Sequence, residues 1–161
     1  MFSTAGGTTT IIIFASMVLA PFFGQLVDRF GRRASIMVVG SLLMIPAFLT
    51  MAFTMVAPAL PMIVLGAAFV MVPAAMWPSI PLIVEKNRVG TAFGLTTTVQ
   101  NIGLALFPWL NGLLRDATKE YTASMVMFSC LGIVGLVFAV LLLRADRREG
   151  RKLELVELHT T

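Results

Sequence analysis

The sequence predicts an all-α fold, a polytopic membrane bundle of five transmembrane helices, and three observations predict it. Hydrophobic residues make up 58% of the chain and charged residues only 12%, with a mean hydropathy of +0.92, whereas soluble domains carry about 25% charged residues. The charges are segregated into short connections and a C-terminal tail. Between them lie five uncharged runs, each close to or above the roughly 20 residues a helix needs to cross a bilayer. A soluble chain would expose much of this apolar surface to water; a bilayer accepts it on every helix.

The first span runs from Thr8 to Leu26, 19 uncharged residues and about 28 Å of helix at 1.5 Å per residue, with Pro21 and Gly24 near its end. The second runs from Ala34 to Met55, and the close pair of prolines in Ala57-Pro58-Ala59-Leu60-Pro61 marks a turn. The third, Met62 to Val84, carries Pro73, Pro78 and Pro81. Each removes a backbone donor and clashes with the preceding turn, so a kinked or broken helix is expected. Its freed carbonyls need neighbouring helices or a water-filled cavity. Glu85-Lys86-Asn87-Arg88 separates it from the fourth span, Val89 to Leu114, and Arg115-Asp116-Ala117-Thr118-Lys119-Glu120 leads to the fifth, Tyr121 to Leu143. Residues 1–143 form the transmembrane bundle and 144–161 a charged tail. Leu153, Leu155, Val156 and Leu158 make no apolar stripe there, so the tail reads as solvated or lying among headgroups.

Cytoplasmic connections carry the excess of lysine and arginine. One side holds Arg29, Arg32, Arg33, Lys86, Arg88, Arg144, Arg147, Arg148, Arg151 and Lys152, and the other only Arg115 and Lys119. This bias places the C-terminal tail in the cytoplasm and the N-terminus outside, in a plasma, bacterial inner or lysosomal membrane. The first residues lack a positive region and a cleavage site, so the first span reads as retained. The lipid bilayer is the expected partner. Nucleic acid is not, despite a pI near 10.0, because the basic residues are not interleaved with aromatics along a groove. One cysteine, Cys130, inside an apolar run offers no disulfide framework and no metal cluster and reads as inert packing; no cofactor is expected. A membrane enzyme needs acids, His or an activated Ser at depth, and Ser41, Ser79 and Ser129 have no base in the spans.

The stretch Gly24-Gln25-Leu26-Val27-Asp28-Arg29-Phe30-Gly31-Arg32-Arg33 joins the first two spans. A connection of about six residues between antiparallel helices needs backbone freedom, which Gly31 supplies, while Gly24 permits a close helix approach. Asp28 stands at a helix C-terminus, where the dipole disfavours an acid, and so wants an external donor: a neighbouring arginine or the positive start of another helix. Taken generically, the motif reads equally as a positive-inside anchor.

At membrane depth no span carries an Asp, Glu, Lys, Arg or His. Trp77 lies two-thirds along the third span among prolines, placed to line a substrate cavity or to pack on a helix. On the fourth span Thr96 and Gln100, and likewise Thr97 and Asn101, stand four apart and form one polar surface. An amide facing lipid is costly, so this surface meets another helix or a cavity. Gly90 and Gly94 form a small-xxx-small step for a close crossing. Trp109 and Tyr121 read as interfacial anchors.

The string G-x-L-x-D-R-x-G-R-R resembles the signature loop of major facilitator superfamily transporters, matched here by Gly24, Leu26, Asp28, Arg29, Gly31, Arg32 and Arg33. The segments around Ala52-Phe53-Thr54-Met55, Met76-Trp77-Pro78-Ser79-Ile80-Pro81 and Val89 to Ala105 resemble the C-terminal half of the lysosomal dipeptide transporter branch of that superfamily. The resemblance implies a partial major facilitator fold comprising helices eight to twelve. Seven helices would then lie outside this chain, with Met1 an internal start or the mark of a truncated gene model. It further implies alternating access to a small polar solute such as a dipeptide, held by Trp77, Thr97, Gln100 and Asn101, and a gate latch made of Gly24, Asp28, Arg29, Gly31, Arg32 and Arg33. The partner would be the missing N-terminal half or another membrane subunit. Proton coupling would need a carboxylate in that half, and uncoupled facilitation fits as well. The alternative is a truncated, non-transporting membrane protein serving as scaffold or as partner for another half.

Overall fold

A computed structural model describes residues 14, 17–18, 20–25, 27, 29–53 and 59–155, and these contain helices and turns with no strand among them. The helices are α1, to which the helical residues between 14 and 30 belong, α2 Arg33–Phe53, α3 Ala59–Ile83, α4 Val89–Thr118 and α5 Thr122–Arg148, with a 3-10 turn at Lys86–Arg88. Arg33–Phe53, Leu60–Ile83 and Thr122–Arg148 are long and apolar enough to cross a membrane. α4 has 30 residues but is not among them, because Thr96, Thr97, Thr98, Gln100, Asn101 and Asn111 dilute its apolar character. Large exposed side chains such as Phe69, Phe138 and Leu141 make the kind of surface a bilayer covers.

α2 is the hub, and small residues make it so. On one side a Cβ at Gly40 would lie 2.8 Å from Val72 Cγ2 and 3.6 Å from the Ala68 carbonyl oxygen of α3. On the other, a Cβ at Gly132 of α5 would lie 3.2 Å from Ile45 Cγ1, and the Ser129 hydroxyl donates to the Ile45 carbonyl at 3.4 Å. Phe48 and Phe128 stack at 5.5 Å on the same seam. Close backbone approach maximises dispersion where lipid removes the hydrophobic drive between helices. Val27, Met37, Ala75 and Ala139 close a buried cluster contributed by α1, α2, α3 and α5. α4 only grazes α3 and α5 and has no buried residue.

Three sequence expectations require correction. α3 is one unbroken helix of 25 residues despite Pro73, Pro78 and Pro81. Ala68, Met71, Ala75 and Ser79 form a buried stripe, and packing along it keeps the helix continuous through the prolines, so of the expected kink or break it is the break that does not occur. The connection between α1 and α2 is two residues, Gly31 and Arg32, not about six. The described part of the tail does not simply extend away from the bundle, although its basic residues stay exposed. α5 runs on to Arg148, Gly150 and Arg151 turn the chain at φ +97° and +61°, and residues 151–155 fold back onto the start of α2. Leu153, there, is completely buried. Val156 and Leu158 lie outside the described residues.

Candidate functional site

The α1–α2 turn is built on backbone conformation. Gly31 takes φ +66° and donates its N–H to the Val27 carbonyl at 3.0 Å, a left-handed helix stop that favours glycine. Arg32 follows at φ +33°, strained for a residue with a Cβ, and its carbonyl accepts from Ile36 at 2.9 Å. Arg29 and Arg32 are exposed, whereas Arg33 is 8% exposed and its Nε and Nη1 find no acceptor among the described residues. Asp28 and Leu26 lie outside those residues. A Cβ at Gly24 would meet nothing within 4 Å, so no close helix approach uses it in the described structure.

The start of α2 is occupied by the strap formed by residues 151–155. Arg33 N–H donates to the Leu153 carbonyl at 2.8 Å, and the Glu154 carboxylate accepts from Ser35 N–H at 2.8 Å and from the Ser35 hydroxyl at 3.0 Å. First-turn amides have no intrahelical acceptor and carry the positive end of the helix dipole, so a carboxylate there satisfies both. Asp146, 6% exposed, fixes the strap from the other side by accepting from Leu153 N–H at 2.9 Å, while its own carbonyl accepts from Arg151 N–H at 2.7 Å. The turn between α1 and α2 and the end of α5 therefore share one end of the bundle.

Deeper in, Trp77 is half-buried and stacks on Phe93 of α4, with centroids 5.8 Å apart and planes inclined by 8°. Trp77 also joins Phe69, Val70, Pro73, Ala74 and Pro78 of α3 and Met17 and Ala20 of α1 in lining an open apolar groove of about 560 Å³. Thr96, Thr97 and Thr98 donate their hydroxyls to the carbonyls of Ala92, Phe93 and Gly94 at 2.8–2.9 Å. Those donors are spent on the helix itself, while the oxygens remain acceptors. Gln100 and Asn101 are exposed and make no hydrogen bond among the described residues. The structure links Trp77 to Phe93, and Thr97 stands one turn, about 6 Å, further along α4. It leaves the two amides about 10 Å beyond Phe93 along α4, seven residues at 1.5 Å each. Gly90 and Gly94 also face open space within 4 Å.

Sequence reasoning missed Phe93, Asp146, Leu153 and Glu154. Gly150 between Glu149 and Arg151 was the available signal for a turn in the tail, and it is Leu153 that the turn carries into the bundle. Cys130, expected as packing, is exposed on α5.

The lysosomal dipeptide transporters MFSD1 of Homo sapiens, Gallus gallus and Mus musculus are 27%, 29% and 29% identical to the chain over 149, 146 and 150 residues, covering 91–93% of it. The chain spans about a third of the length of these curated relatives, 32–33%. No solved structure matches it. The relatives are membrane transporters rather than enzymes, in keeping with a multi-pass membrane protein. The Major Facilitator Superfamily profile matches residues 2–159, through every described helix and the strap, and so the chain belongs to the major facilitator superfamily.

Proposed function

We propose that this chain is the C-terminal five-helix part of a secondary transporter that carries small polar solutes, dipeptides among them, by alternating access. The observation that carries this reading is the free polar face of α4. Gln100 and Asn101 stand exposed near the middle of a long helix, where lipid contact would leave amides unpaired at a cost of a few kcal/mol each. A hydrated path between this helix and the rest of the transporter gives them partners and gives a solute hydrogen bonds. Trp77, held flat by Phe93, supplies a rigid aromatic wall at one end of that path, and Thr97 an acceptor oxygen. The names of the MFSD1 relatives support dipeptides as the first solutes to try.

In this reading the α1–α2 turn is the gate latch, with Asp28, Arg29 and Arg32 meeting the opposite domain on the cytoplasmic side and the buried Arg33 holding the turn from within. The N-terminus lies outside and the partner is the other half of the transporter. Proteoliposomes holding the complete transporter, offered a panel of dipeptides, amino acids and sugars with and without a proton gradient, test it. Saturable dipeptide uptake is expected, reduced about tenfold by Trp77→Ala through loss of one aromatic contact of roughly 1.4 kcal/mol. Absence of solute uptake across the panel would overturn the transport reading, and unchanged kinetics in the variant would remove Trp77 from the path.

A further inference from the structure

Between Arg144 and Leu155 the chain carries five basic and three acidic side chains, and the fold sorts them by direction. Asp146 is 6% exposed and bound to Leu153 N–H, and Glu154 is spent on Ser35. Arg144, Arg147, Arg148, Arg151 and Lys152 all point to the outside, and none forms a salt bridge among the described residues. The bond from Arg33 N–H to the Leu153 carbonyl anchors this basic surface at the start of α2. An extended tail would leave its acids free to neutralise the neighbouring arginines; the folded strap hides two of the three. The apolar run of α5 ends at Leu143, so the cations begin where the hydrocarbon ends.

We propose that the folded strap and the end of α5 that carries it form a binding surface for anionic phospholipid headgroups of the leaflet on that side. Headgroup phosphates and carboxylates lie at the depth of Arg144 to Arg148, and basic residues next to a span draw such lipids at short range. The fold adds to the count of charges: Glu154 and Asp146 hold the strap that sets Arg151 and Lys152 at the end of the helix carrying Arg144, Arg147 and Arg148.

Two substitutions that change the charge equally separate this from attraction to any basic tail. The full chain in detergent is titrated with dioctanoyl phosphatidylserine and with dioctanoyl phosphatidylcholine, and bound lipid is read by native mass spectrometry. The chain should prefer phosphatidylserine by about tenfold or more, as several lysines and arginines near a surface provide. Glu154→Ala, which frees the strap, should weaken that preference severalfold although it removes a negative charge. Glu149→Ala, whose carboxylate is exposed, should leave it equal or stronger. Replacing Arg147, Arg148 and Arg151 together by Gln should abolish the preference and replacing them by Lys should keep it, with helicity and elution volume confirming the fold. Equal binding of the two lipids, unchanged or tighter binding by Glu154→Ala, or displacement of phosphatidylserine by millimolar inorganic phosphate would each overturn the proposal.

Discussion

α2 and α4 are both long helices of one chain, yet they are built for different neighbours. α2 is pressed on two sides: Gly40 admits Val72 and Met71 of α3, Gly132 of α5 admits Ile45, and Glu154 closes its first turn. Of the four glycines of α4, Gly90, Gly94 and Gly112 have nothing within 4 Å among the described residues and Gly103 meets only Phe107 of its own helix, and the amides of Gln100 and Asn101 lack partners among those residues. The same residue type thus serves contact already made in one helix and leaves open surface in the other. The difference teaches that the chain holds itself together through α2, α3 and α5 and leaves most of the surface of α4 open among the described residues.

That contrast can be broken by substitution. Gly40→Leu should cost the most, about 3 kcal/mol, by overpacking the α2–α3 seam, seen as a clear fall in thermal midpoint in detergent. An unchanged midpoint would mean that the seam can open without loss. Gln100→Ala combined with Asn101→Ala should lower solute uptake by the complete transporter about tenfold, the worth of one hydrogen bond of roughly 1.4 kcal/mol, while the chain's midpoint stays put. A fallen midpoint would instead make the amides structural. Gly31→Ala should destabilise by about 1 kcal/mol through its left-handed conformation, measurable by the same melt. Gly94→Ala should change stability by less than about 0.5 kcal/mol, or raise it slightly through helix propensity; a large loss would show that Gly94 is already in close contact.

Much of the architecture was legible. Runs such as Ala34 to Met55 declare helices in lipid because an unpaired backbone amide has no alternative partner there, and the backbone freedom expected of Gly31 is used, at a φ of +66°. Proline misled: its local cost argued for a break in α3, and the buried stripe from Ala68 to Ser79 outweighs it. The strap was illegible for a related reason. Leu153 is one of several apolar residues that form no stripe in a charged segment, and only the place where it lands, beside the first turn of α2, turns it into a buried one.

By itself the sequence determined that the chain is a bundle of membrane helices, where its connections fall, and which superfamily's loop it carries. Those properties follow from hydropathy, charge segregation and local backbone preference, which act over neighbouring residues. The tertiary structure decided that α2 is the hub, that α3 stays continuous, that Trp77 lies on Phe93, and that Glu154 caps a helix 119 residues away. These depend on which surfaces meet across the bundle, and contacts between segments so far apart leave no periodic trace along the chain.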